Sequence, residues 1–193
     1  MSKYFWILGL TVLLLGCSSP HYTNPHILIE TNFGDIEVEL YPSKAPKTVQ
    51  AFLSYIDSGY YTKSSFYRVV KNEDMSGVNY GILQGGIWLT NDKQHPSVPG
   101  IVHETTKQTG LSHVNGTISL ARTLPGTANT EFFFCVGDQT QFDFGNSGSS
   151  DGQGFAAFGK VFKGMDIVRK IQSEPSTGES INEKVTIIKI VRL

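Results

Sequence analysis

Ile27-Leu28-Ile29-Glu30-Thr31-Asn32-Phe33-Gly34-Asp35-Ile36-Glu37-Val38-Glu39-Leu40 holds two alternating runs separated by an Asn-Phe-Gly-Asp turn. Ile27 and Ile29, then Ile36, Val38 and Leu40, recur at period two, which predicts a hairpin with one buried face. Downstream the period becomes helical: Pro46 sits at a first turn, Val49, Phe52, Leu53 and Ile56 share one face, and Gly59 closes the segment. Short β-rich runs follow at Phe66 to Val70, Gly81 to Gln84, Thr117 to Ala121, Glu131 to Val136 and Phe155 to Val161. Met165, Ile167, Val168 and Ile171 mark a second short helix, and Lys184 to Leu193 a terminal strand. About eight strands with a helix near each end predict a mainly β fold, a closed eight-stranded antiparallel barrel capped by two helices.

The bulk composition narrows the function. At 193 residues with 39% hydrophobic content, the chain suits one domain with a short appendage and a real core. A formal net charge of -1, with Lys and Arg scattered, leaves no electrostatic footprint for nucleic acid. Cys17 and Cys135 cannot build a disulfide framework. His21, His26, His95, His103 and His113 show no metal-ligand spacing, so they are taken as surface or structural, and neither metal nor cofactor is expected. The Gly-rich run from Phe144 to Gly154 lacks the Gly-Lys-Ser/Thr ending of a phosphate loop and leads into a strand; a flexible surface loop is expected.

The first residues form an address. Met1 to Lys3 gives a short positive start, and Tyr4 to Leu15 is an apolar run of signal-peptide length, too short to cross a bilayer. It ends in Leu14-Leu15-Gly16-Cys17, which resembles the lipobox of bacterial lipoproteins, where cleavage precedes the cysteine and its thiol is lipidated. The resemblance implies a signal peptide over 1–16, a lipidated tether over 17–25 and a globular domain over 26–193. Acyl chains such as palmitate on Cys17 would then anchor the protein, each buried methylene adding about 0.8 kcal/mol. The implied location is the bacterial cell envelope, facing the periplasm, and Ser18 resembles outer-membrane rather than inner-membrane sorting. Cys135, alone in an oxidising compartment, is expected to be buried.

Five ordered segments in the globular part resemble the cyclophilin family of peptidyl-prolyl cis/trans isomerases. They are Phe66-Tyr67-Arg68-Val69-Val70, Gln84-Gly85-Gly86, Gly116 to Arg122, Glu131-Phe132-Phe133-Phe134, and Phe155 to Val161 leading to Gly164-Met165-Asp166. The resemblance runs from about His26 to Leu193 and implies an isomerase of X-Pro bonds that needs no cofactor. Amide resonance opposes that rotation with a barrier of about 18–20 kcal/mol, while the isomers differ by only about 0.5–1 kcal/mol, so the problem is rate. As the bond twists the prolyl nitrogen gains a lone pair, and a fixed cationic donor there or at the carbonyl oxygen stabilises the transition state.

By position in these motifs, Arg68 matches the family's catalytic arginine and Phe133 the floor of its proline pocket. Phe66 and Ile82 match the wall, Phe142 the residue that closes it, and Gln84 the glutamine that grips the peptide backbone and orients the arginine. Ala121 lines the groove, and the backbone of Arg122 falls where an extended peptide pairs. Strand alternation sends Phe132 and Phe134 to the face opposite Phe133, into the core. The implied partners are proline-containing peptides and unfolded envelope proteins, met by a monomer.

The chain also departs from the family. The stretch from Lys71 to Tyr80 is longer than usual, and Gly81 stands where a pocket phenylalanine is common, leaving one wall missing or replaced by Tyr80. Glu131 replaces a frequent glutamine, and a carboxylate there is placed to pair with Arg68. Phe155 replaces a histidine and makes the pocket more apolar. A non-catalytic proline-binding or chaperone module therefore stays open beside the isomerase, as does a structural lipoprotein with a degenerate site.

Overall fold

The structure, a computed structural model, describes residues 22–73, 75–77, 79–89 and 98–193. Its strands are β1 (His26–Thr31), β2 (Gly34–Leu40), β3 (Ser64–Glu73), β4 (Asn79–Gly86), β5 (Thr117–Leu120), β6 (Phe132–Val136), β7 (Ala156–Lys163), β8 (Ser176–Thr177) and β9 (Ser180–Arg192). Eight of them form a closed antiparallel ring in the order β1-β2-β7-β5-β6-β4-β3-β9, with β1 pairing back to β9. The short β8 hangs on β9 outside the ring. Helices α1 (Pro46–Asp57), α2 (Thr106–Thr109) and α3 (Met165–Gln172) complete the fold. The barrel predicted from the periodicity is present, with a ninth strand and a third helix added.

The barrel fills because strand alternation turns one apolar set inward. Ile27, Ile29, Ile36, Val38, Leu40, Phe66, Leu83, Ile118, Phe132, Phe134 and Phe158 are all fully buried. Helix α1 closes one end by inserting Phe52 among Tyr61, Phe132 and Phe158, with ring centroids 5.2, 5.5 and 5.0 Å away. Pro46 opens that helix without a side-chain cap of its own. The Glu104 carboxylate, far off in the chain, accepts instead from the Thr48 amide at 2.8 Å and its hydroxyl at 2.7 Å.

Two irregularities position the site. In β3 the register shifts between Phe66 and Arg68 against both neighbouring strands, a bulge that sends Phe66 inward and Arg68 outward although they are two residues apart. At Gly81 the backbone has φ +137°, and an added Cβ would lie 2.1 Å from the Val70 carbonyl oxygen. No L side chain fits there, so the glycine is demanded by the close approach of β3 and β4.

Before β1 the chain rests on the outside of the barrel. The Tyr22 ring stacks on His26 at 3.6 Å, Asn24 Nδ2 donates to Glu39 at 2.9 Å, and the Leu40 amide donates to the Pro25 carbonyl. Beneath them the Glu37 carboxylate, largely buried, meets His26 Nδ1 at 2.7 Å and Lys163 Nζ at 3.0 Å. The stretch expected as a tether over 17–25 is thus attached to the domain from Tyr22 onward. Cys17, the signal segment, His21 and His95 lie outside the described residues.

Candidate active site

Strand register builds the site on the outer wall of the barrel. Across β3, β4, β6 and β5, Arg68, Gln84, Phe133 and Ser119 pair in one row, and Val70, Ile82 and Cys135 form the next. Ile82, Phe133 and Cys135 make a second buried apolar cluster, outside the barrel interior, against which Val70, Ala121, Phe142 and Phe155 pack. All of these but Cys135 line a pocket of about 860 Å³ whose apolar floor is Phe133 and whose polar edge is Arg68 and Gln84. The Phe133, Phe142 and Phe155 rings meet edge to face at 5.3–5.7 Å, which fixes the shape of the slot.

Arg68 is held from two sides. Its Nη1 donates to Gln84 Oε1 at 2.7 Å, while Nε and Nη2 reach Glu179 Oε2 at 2.8 and 2.6 Å. Gln84 Nε2 donates in turn to the Tyr67 hydroxyl at 2.9 Å, which donates to Glu131 Oε2 at 2.5 Å. Burial drives the Tyr67 phenol far above its usual range, and the Glu131 charge adds to that, so Tyr67 stays a neutral donor. The side chains of Arg68 and Glu179 are 37% and 57% exposed, so their ion pair adds only about 0–1 kcal/mol to stability. A cationic donor therefore stands at the edge of a greasy slot wide enough for a small ring. Among the described residues, no group of His, Cys, Asp or Glu is arranged to hold a metal ion.

Comparison with known proteins decides the family. The sequence model described as cyclophilin type peptidyl-prolyl cis-trans isomerase/CLD matches residues 26–192. The chain is a cyclophilin. It is 36% identical to a peptidyl-prolyl cis-trans isomerase of Acinetobacter baylyi over 84% of this chain and 79% of that one. It is 35% identical to peptidyl-prolyl cis-trans isomerase B of Escherichia coli, over 80% and 87% of the two chains. The fold is also that of a Cryptosporidium parvum cyclophilin, with TM-score 0.68 at 23% identity, covering 88% of this chain and 98% of that one.

Against the positions inferred from the cyclophilin motifs, the structure brings Arg68, Ile82, Gln84, Ala121, Arg122, Glu131, Phe133, Phe142 and Phe155 to one pocket. Phe66 is the exception. It is fully buried inside the barrel, 5.9 Å from Phe132, because the bulge after it reverses the parity that motif spacing assumed. Val70, opposite Ile82, supplies the wall instead. That wall is therefore neither missing nor made by Tyr80, which is 37% exposed and does not line the pocket.

Glu131 does not pair with Arg68 as expected. Its carboxylate is occupied by the Tyr67 hydroxyl and by the Ile87 and Trp88 amides at 2.9 and 3.1 Å. Burial raises its pKa, opposed by those donors. The Arg122 side chain is a brace, bidentate to Asp151 at 2.7 and 2.9 Å and over the Phe155 ring at 5.2 Å. It ties down the Gly-rich loop that the sequence presented as flexible. Sequence motifs alone did not reveal Tyr67 or Glu179; a Thr-Gly-Glu-Ser turn before the terminal strand was the available hint for the latter.

Behind the pocket floor lies His113, fully buried. Its Nδ1 donates to Asp143 Oδ1 at 2.6 Å and its Nε2 accepts from the Ser119 hydroxyl at 2.9 Å. The order Ser-His-Asp is that of a hydrolase relay, but Ser119 is itself fully buried and cannot reach a substrate. The imidazole instead lies nearly parallel to the Phe133 ring at 6.0 Å and edge-on to Phe142 at the same distance, backing the slot. Cys135, buried beside Ile82 and Phe133, has its thiol pushed far up by burial and is inert as a nucleophile.

Burial also lowers the His113 pKa, with Asp143 partly opposing. A histidine depressed on folding stabilises the native state above its unfolded value of about 6.5, and that stability is lost as pH falls through the lower folded value. Urea unfolding at steps from pH 7.5 to 5 should show falling stability, up to about 1.4 kcal/mol per pH unit for this group. His113→Gln should flatten the slope; an unchanged slope would show that the imidazole does not titrate with unfolding.

Proposed function

We propose that this isomerase works on X-Pro bonds of extended segments in exported or envelope proteins, with Arg68 as the catalytic donor. One observation carries the assignment of roles: the register row that sets the Arg68 guanidinium beside Gln84 and the Phe133 ring. The proline ring enters the slot of Phe133, Ile82, Phe142 and Phe155. Arg68 faces the twisting imide, Gln84 steadies both the arginine and the peptide, and Ala121 with the Arg122 backbone borders the extended chain. Each ~1.4 kcal/mol by which this arrangement favours the twisted state gives a tenfold faster rotation. Exchange spectroscopy on an X-Pro peptide with the full chain tests this, because it registers turnover apart from binding. Cis/trans exchange faster than the uncatalysed tens of seconds is expected. Peptide binding with no faster exchange would favour the non-catalytic binding module.

The envelope address rests on the run from Tyr4 to Leu15 and the Leu-Leu-Gly-Cys ending at Cys17. In a bacterial host the full chain should incorporate labelled palmitate, and Cys17→Ser should abolish the label and release the protein from membranes. Labelling that persists in Cys17→Ser would remove the lipoprotein assignment and leave the catalytic one standing.

A further inference from the structure

We propose that Glu179 is a positioning residue for the isomerase reaction, holding the Arg68 guanidinium in its working orientation. The proposal rests on the assignment of Arg68 as the catalytic donor. Glu179 belongs to none of the motifs that define the site. It occupies the second central position of the two-residue turn between β8 and β9, after Gly178 at φ +59°, where a type II′ hairpin calls for glycine.

That turn is fastened to the strand it serves. The Glu179 carbonyl accepts from the Val69 amide at 2.8 Å, and Ser180 pairs with Arg68 across the β3 bulge. Its own hairpin is cross-braced by Thr177 Oγ1 donating to Asn182 at 2.8 Å. The backbone of Glu179 is thus tied beside the irregularity that turns Arg68 outward, and its carboxylate comes with it.

The geometry divides the guanidinium into two edges. Glu179 Oε2 accepts from Nε–H and lies 2.6 Å from Nη2 as an ion pair, and Gln84 takes one hydrogen of Nη1. Among the described residues, Nη1 and Nη2 meet no further acceptor, and their remaining hydrogens belong to the part of the fork left for a substrate. A guanidinium is planar, so fixing two of its edges fixes the direction of those remaining donors. With the Glu179 carboxylate removed, as in Glu179→Ala, Gln84 alone would hold Arg68 at a single contact, and the plane could rotate about it. An exposed pair of this kind contributes little to folding, so its removal separates orientation from stability.

Glu179→Ala should lower kcat on an X-Pro peptide about tenfold while KM stays within about twofold and the thermal midpoint is unchanged. Glu179→Gln, which keeps one acceptor oxygen, should recover part of the loss. In an Arg68→Ala background, Glu179→Ala should have no further effect, because the residue it positions is gone. NMR of the Arg68 Nε–H should show slow solvent exchange in the wild type and fast exchange in Glu179→Ala.

An unchanged or raised kcat in Glu179→Ala, or an equal fall in the Arg68→Ala background, would overturn the proposal. Turnover indifferent to Arg68→Ala would remove the catalytic role of Arg68 and this proposal together. Arg68-dependent turnover that Glu179→Ala leaves intact would remove this proposal alone.

Discussion

Arg68→Ala should lower kcat/KM for an X-Pro peptide by about 10²–10³-fold, with the loss concentrated in kcat. The expectation follows from what removing one preorganised donor costs where charge develops, about 2.7–4 kcal/mol. Binding should change little, since the slot proposed for the proline ring is built by other residues. The fold should be unaffected too, because the Arg68 side chain is partly exposed and its ion pair with Glu179 is a surface pair. Exchange spectroscopy over a range of peptide concentrations separates kcat from KM. A variant that keeps wild-type turnover would show that the slot alone, by desolvating the imide, performs the catalysis.

Phe133→Ala should act in the complementary way and damage the protein as well. The ring is only 2% exposed, sits between His113 and the slot, and meets Phe142 and Phe155 edge to face. Truncating a buried phenylalanine costs about 3–5 kcal/mol of stability, which urea unfolding would read directly. At a temperature where the variant remains folded, KM should rise about tenfold. In the proposed pose the floor would supply roughly half of the burial of the three proline methylenes, each about 0.8 kcal/mol. A destabilised variant with unchanged KM would place the proline ring elsewhere in the pocket.

The fold was legible because its determinants are periodic. The alternation through Ile27 to Leu40, the helical stripe from Val49 to Ile56 and the terminal apolar run each match an observed element. Helix α2 was not seen, since Thr106–Thr109 buries no apolar stripe. Its mark is the Thr105–Gln108 capping box closed by Gly110 in the left-handed region.

Within the site, Arg68, Gln84 and Phe133 were readable from their motifs, and their alignment in one row is a matter of register. What spacing could not give was the bulge, which exchanges Phe66 for Val70 on the wall. Nor could it give partners brought in by distant turns, such as Glu179 to Arg68 or Asp143 to His113. Glu131 illustrates the same limit. Its charge suggested a bond to the arginine, whereas the amides of Ile87 and Trp88 and the Tyr67 hydroxyl claim it.

If the chain is fastened through Cys17 as proposed, the strand order would have a topographic meaning. Tyr22 and Asn24 lie on β1, β2 and β7, and β2 stands four places round the ring from β4, which carries Gln84. Five residues of fully extended backbone reach about 17 Å, so a lipid at Cys17 would lie close to that face. The lipid would hold the barrel by its back, and the cleft would look out into the aqueous space, meeting clients adrift there rather than those lying in the bilayer surface.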